Sequence, residues 1–406
     1  MKRFVNIYIS LFSLYFLQGS IYEVGSLLGR ILLVAVIGIS LYYWVYAMTK
    51  MQLPKPLRIL SFILVIWTLY GVYPILFGMG RVAFDIAPFY VLKGQYMSML
   101  PIFTFYVFVK KGWLTEKMVQ KWTIVFILVA IASYYSNQAR LLQEALGRGS
   151  RREEFTNNAG YVVVSVMCLI PLFWRKPLGQ YIMLGICMLY VFLGMKRGAI
   201  LAGVVCSFWI IIQSFKSNKK SVGKASRKQV TRLVLTIVLI AGAVYAIQGF
   251  MTSSDYFNER LERTLSGDSS GRDAIYEGFY KHIIHETSPI KLLFGNGAFG
   301  TLQIGSNFAH NDWLEIAIDN GLVMVLIYAV YWISLFVMMF KSNRSAPTTL
   351  MLGSFIIIYF IKSFISMSYS DITPYAACAY GYALANYESR RLSGKSENGF
   401  HGNIEN

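Results

Sequence analysis

A few short stretches of this chain combine residue types and spacings that could do chemistry. Lys196-Arg197-Gly198 lies between two apolar runs. A charged turn that short holds Arg197 rigidly at a membrane surface. Gly194, Gly198 and Gly203 equally suit close helix packing, and both can hold together. Ser270-Gly271-Arg272-Asp273 reads as a helix start, with Ser270 as cap and Asp273 answering it three positions on. Arg272 then sits in the first turn, where free N–H groups and the positive dipole end suit an anion. The alternative is an ion pair with Asp268 or Asp273. His310 stands near the start of a later helix, where the dipole disfavours the imidazolium. A neutral imidazole there suits a general base, or simply a local cap or pair. Glu315 and Asp319 follow at i, i+4 on one face. Carboxylates at membrane depth are costly and face a cavity or a partner.

Arginine carries a planar fork that matches phosphate oxygens two at a time. On the side of the chain read below as external, arginine outnumbers lysine. Arg30, Arg81, Arg140, Arg148, Arg151, Arg152, Arg197, Arg260, Arg263 and Arg272 stand there with Lys93, Lys196, Lys281 and Lys291. Such a cluster points to an anionic ligand such as a lipid-linked pyrophosphate. Pairing with Glu144, Glu153, Glu154, Asp255, Glu259, Glu262 and Asp268 is the competing account. Metal chemistry finds little footing. His282, His285 and Glu286 have neither HExxH nor HxxEH order. Cys168, Cys187, Cys206 and Cys378 lie in apolar runs without CxxC spacing. Gly295-Asn-Gly297 with Gly300 reads as a flexible turn, since no strand precedes it to make a nucleotide motif.

The elements that must position these residues are apolar. The 406 residues are 56% hydrophobic and only 14% charged, well below the quarter or so of a soluble domain. A span needs about 20 mostly apolar residues. Candidate windows fall at roughly 4–18, 30–48, 58–77, 94–109, 118–137, 159–174, 181–195, 199–215, 233–250, 313–340, 348–366 and 372–387. The first follows Met-Lys-Arg without a clean small-x-small cleavage site, so it reads as an uncleaved helix. Net charge is +18. With the amino terminus inside, most basic residues fall on inner segments, densest over 216–232. That places both termini in the cytoplasm and removes any need for nucleic acid as a partner.

The expected fold class is all-α: a polytopic integral membrane protein of about twelve transmembrane helices with one larger external loop. Residues 1–250 hold nine helices, 251–312 the loop, 313–387 three more helices and 388–406 a cytoplasmic tail. Within the loop, Ile275, Phe279 and Ile283 make an apolar stripe on a short amphipathic helix that Pro289 ends. Trp313 fits an interfacial anchor.

The order of these motifs resembles the O-antigen ligase and O-antigen polymerase superfamily. The likeness rests on Lys196-Arg197-Gly198-Ala199, then Ser270-Gly271-Arg272 with Tyr276, then Phe294-Gly-Asn-Gly297. Ala309-His310-Asn311-x-x-Leu314-Glu315 and Gly321 complete it. It covers about 195–325. Tyr276 stands where the family often has Trp, and Asp319 where Glu is common.

The resemblance implies a GT-C-like glycosyltransferase of the bacterial inner membrane, working on its outer face with inversion and without metal or cofactor. Its donor would be a glycan on undecaprenyl pyrophosphate; its acceptor, a glycan or lipid A-core; a chain-length regulator would be a further partner. Arg197 and Arg272 would hold the pyrophosphate, and His310 would orient or deprotonate the acceptor hydroxyl. Arg151, Arg152, Asn311, Glu315 and Tyr276 would line the substrate site, Glu315 in support. Polymerase is favoured over ligase, because glycan loci diversify their polymerases while one ligase can serve a cell. Two other classes compete. A transporter or flippase of lipid-linked oligosaccharide predicts paired charges through the spans, where only Lys362 stands plainly. A non-catalytic assembly protein predicts that Arg272 and His310 are dispensable.

Overall fold

A computed structural model describes residues 1–18, 21–23, 25–76, 88–147, 156–216, 227–253, 255, 258–259, 262–263, 266, 271–305, 307–342, 347–368 and 372–400. Helices dominate, and no strand occurs among these residues. The helices are α1 (Lys2–Phe16), α2 (Leu27–Lys50), α3 (Lys55–Leu76), α4 (Pro88–Lys110) and α5 (Glu116–Gly147). Then come α6 (Ala159–Val166), continued by a tighter turn over Met167–Phe173, α7 (Pro177–Leu193), α8 (Arg197–Lys216) and α9 (Arg227–Ser253). Three short helices follow: α10 (Arg272–Lys281), α11 (Pro289–Phe294) and α12 (Gly300–Ile304). Long ones close the chain: α13 (Asp312–Lys341), α14 (Pro347–Ile365) and α15 (Pro374–Phe400).

Every apolar window of the sequence falls on a helix. Six of these helices are long and apolar enough to cross a membrane: α2, α3, α5, α8, α13 and α14. Six is half the twelve expected. Ala159–Phe173 and Pro177–Leu193 are apolar but shorter than a bilayer-crossing helix of about 20 residues. Large apolar side chains such as Leu27, Ile31, Val34, Leu69, Leu128 and Leu326 point outward and stay exposed. Large apolar side chains exposed in such number along these helices fit a membrane-embedded protein.

The interior is built by close helix approach. α15 packs along α4, where a side chain at Gly381 would stand 2.6 Å from the Ile102 carbonyl. Phe355 of α14 stacks flat on Tyr380 of α15, 4.2 Å between ring centres. At Gly353, α14 comes so near α8 that a Cβ would lie 2.5 Å from the Trp209 ring. Without a hydrophobic drive between helices in lipid, such backbone proximity and dispersion contact hold a bundle together. A separate small core of Phe279, Ala309, Leu314 and Ile318 fastens α10 to the start of α13. Ile275 and Ile283 pack against it, so the apolar stripe read from the sequence faces the bundle.

Two local readings are corrected. The residue before α10 is Gly271, with φ of 79°, and it contributes no side-chain cap. The glycine tolerates that left-handed turn and so takes the position assigned to Ser270; Ser270 itself lies outside the described residues. Pro289 begins α11 instead of ending the preceding helix, which runs out in a wide turn over His282–Glu286. Proline has no N–H to lose at a first helical position.

Candidate functional site

The polar motifs meet at the C-terminal end of α14. The last carbonyls of a helix have no partner within it and carry its negative dipole end. Here two side chains supply partners. Arg272 donates through Nη1 to the Ile365 carbonyl at 2.7 Å. Asn311 donates to the Phe364 carbonyl at 3.3 Å. Asn311 also caps α13, its side-chain oxygen accepting from the backbone N–H groups of Trp313 and Leu314. Trp313 stacks on Phe364 at 5.6 Å and donates to the Ser363 hydroxyl at 3.1 Å. Segments distant in sequence are thus tied to one helix end.

The Lys196–Gly198 turn arrives from another side. Met195 adopts φ of 49°, and α8 begins at Arg197. At Gly198 any Cβ would overlap the Tyr161 hydroxyl and stand 2.6 Å from Ile365. The glycine is therefore what lets this turn lie against the end of α14. Arg197 is half-buried there.

His310, exposed and near Arg272 and Lys196, has a φ of 52°. Only three described residues other than glycine have positive φ: Met195, Phe299 and His310. Left-handed backbone costs a residue with a side chain about 1–2 kcal/mol. Two of the three lie in or beside the sequence motifs, where surrounding structure must hold them. The imidazole keeps an exposed side. Crowding by protein atoms, then the nearby charges of Arg272 and Lys196, push its pKa below the ordinary imidazole value. Such a ring is neutral at neutral pH and able to accept a proton. The same two cations beside it suit an anionic ligand.

The loop carrying His310 is held from beneath. Glu315, wholly buried, accepts from the Thr301 hydroxyl at 2.6 Å and from the Ala309 backbone N–H at 2.8 Å. Asp319 accepts from the Thr301 N–H at 3.0 Å. The glycines of 295–300 do not form a loose turn. Asn296 and Gly297 donate their N–H groups to the carbonyls of Ile318 and Asp319. Those carbonyls are available because α13 breaks its regular geometry at Gly321, with φ of 78°.

Of the candidate residues, His310, Arg272, Arg197 and Asn311 gather at the end of α14. Glu315 supports the His310 loop from inside. Tyr276 packs against the small core around Phe279. Arg151 and Arg152 lie outside the described residues. Among the other arginines that the sequence reading placed on the outer side, Arg140 pairs with Glu144 and Arg263 with Glu259, each at 2.7 Å. Among the described residues no group of three His, Cys, Asp or Glu is placed to hold a metal ion. Sequence reasoning passed over Thr301 and Asp312, which carry no motif of their own. No protein-family model and no curated protein sequence matches the chain.

Proposed function

We propose that this chain is a GT-C-like membrane glycosyltransferase of about twelve spans in a bacterial inner membrane, with both termini cytoplasmic. It moves a glycan from undecaprenyl pyrophosphate to a sugar hydroxyl on the outer face, during O-antigen or other surface polysaccharide assembly. Polymerisation of repeat units is the favoured form, and ligation to lipid A-core the next. The observation that carries this reading is the meeting of Arg272, Lys196 and a His310 of lowered pKa at one helix end.

In this reading the guanidinium groups of Arg197 and Arg272, with Lys196, bind the pyrophosphate. They stabilise the charge that grows on it as the bond to the anomeric carbon breaks. The electron pair of that bond leaves on the phosphate oxygen. The acceptor hydroxyl oxygen attacks from the opposite face, which inverts the centre, and its proton passes to His310. The chain's own residues do all of this, without a cofactor.

A gel of surface glycan from a deletion strain tests it, complemented with wild type, Arg272→Ala or His310→Ala. Lipid A-core bearing one repeat unit identifies a polymerase. Bare core, with long glycan retained on undecaprenyl pyrophosphate, identifies a ligase. A normal ladder from both point variants overturns the catalytic assignment.

A further inference from the structure

We propose that Lys362 and Asp312 form a buried charged centre that positions the three arms of the site, with Lys362 as a positioning residue for transfer. The inference rests on the glycosyltransferase reading and names residues which that reading does not use. Lys362 is on α14, within one turn of the carbonyls that receive Asn311 and Arg272. It is 3% exposed. A lysine held that deeply in an apolar helix is costly unless its charge is matched.

Aromatic faces meet it directly, and a buried carboxylate stands at the same helix end. Its ammonium lies over the rings of Tyr161 and Tyr359, 5.0 and 5.7 Å from their centres. Asp312 lies at the same end of α14, where its neighbour Trp313 donates to Ser363, the residue after Lys362, and Ser368 just beyond the helix donates to the Asp312 carboxylate. Asp312 is wholly buried. Its carboxylate accepts from the Tyr328 hydroxyl at 2.8 Å, from the Ser368 backbone N–H at 2.7 Å and from the Ser368 hydroxyl.

Each contact leads to a different arm. Asp312 follows His310 and Asn311 directly and begins α13, so its anchorage sets where the strained His310 backbone stands. Tyr161 fills the space beside Gly198, so the ring under Lys362 also bounds the Arg197 turn. α14 itself presents the carbonyl to Arg272. A helix that only had to fill lipid would place leucine at 362. A matched pair instead fixes one arrangement of three segments. Removing either partner strands the other charge; removing both together does not.

The test uses purified full-length protein in proteoliposomes with a lipid-linked repeat unit and lipid A-core, so that either acceptor is present, reading release of undecaprenyl pyrophosphate. Lys362→Met and Asp312→Asn each lower kcat by about tenfold or more, with KM for the donor held within about twofold. Lys362→Arg retains more activity than Lys362→Met. The double variant is no worse than the poorer single variant, because the two act as a unit. Singles within about twofold of wild type, or a double variant in which the two losses multiply, overturn the proposal. If a single variant fails to accumulate, Tyr328→Phe and Ser368→Ala each remove one hydrogen bond to Asp312 and are read the same way. Wild-type turnover with unaffected variants sinks this inference alone. Wild type that releases nothing from the donor sinks the functional reading and this inference with it.

Discussion

Replacing Glu315 separates support of the His310 loop from chemistry at it. Glu315 is wholly buried and holds two donors, the Thr301 hydroxyl and the Ala309 N–H. In Glu315→Gln the amide oxygen still accepts from Ala309, and the amide nitrogen donates to the Thr301 hydroxyl, which can also accept. Only the charge assistance is lost, about 1 kcal/mol. In Glu315→Leu both donors are buried without partners, at about 1–3 kcal/mol each. The sum, about 3 kcal/mol, is spent where the loop is anchored, one residue before His310. Hydrogen–deuterium exchange of purified protein reads this locally. Amides of 301–309 should exchange about a hundredfold faster in the Leu variant and less than about tenfold faster in the Gln variant. Glycan transfer should fall in the same order. Equal exchange in both variants and wild type would refute the argument that this carboxylate anchors the loop.

Arg272 and Lys196 help hold the His310 pKa below the ordinary imidazole value, and neutral His310 is the proposed base. Activity should therefore be lost only as pH falls through that depressed value. Lys196→Met removes one of the cations, so the acid limb of a kcat–pH profile should move to higher pH; an unmoved limb counts against His310 as the titrating group. Gly198→Ala forces a Cβ onto the Tyr161 hydroxyl and Ile365, costing about 1–3 kcal/mol. Thermal unfolding in detergent should show the loss, and Tyr161→Phe in the same chain should recover part of it. Asn311→Ala loses the cap of α13 and the contact to Phe364, about 1 kcal/mol for the cap. Donor binding measured by titration should persist while kcat falls, since the variant moves His310 and leaves the cations in place.

Apolar periodicity and length found the helices, because a lipid-facing helix must satisfy its own backbone and cover itself with apolar side chains. The stripe of Ile275, Phe279 and Ile283 was legible for the same reason, since a local repeat sets which face is buried. Motif order singled out Arg197, Arg272 and His310. What sequence could not supply was their common address at the end of α14, because segments far apart along the chain meet only once the bundle packs. Nor could it assign Asn311 to a cap and Tyr276 to a small core, since both roles depend on which surface arrives opposite. Lys362 was visible only as a charge in the wrong place. Its aromatic neighbours come from α6 and its own helix. Local composition determines where a helix can form, because each helix closes its own hydrogen bonds. Only tertiary packing decides which buried charge meets which partner, because that energy exists only between segments already brought together.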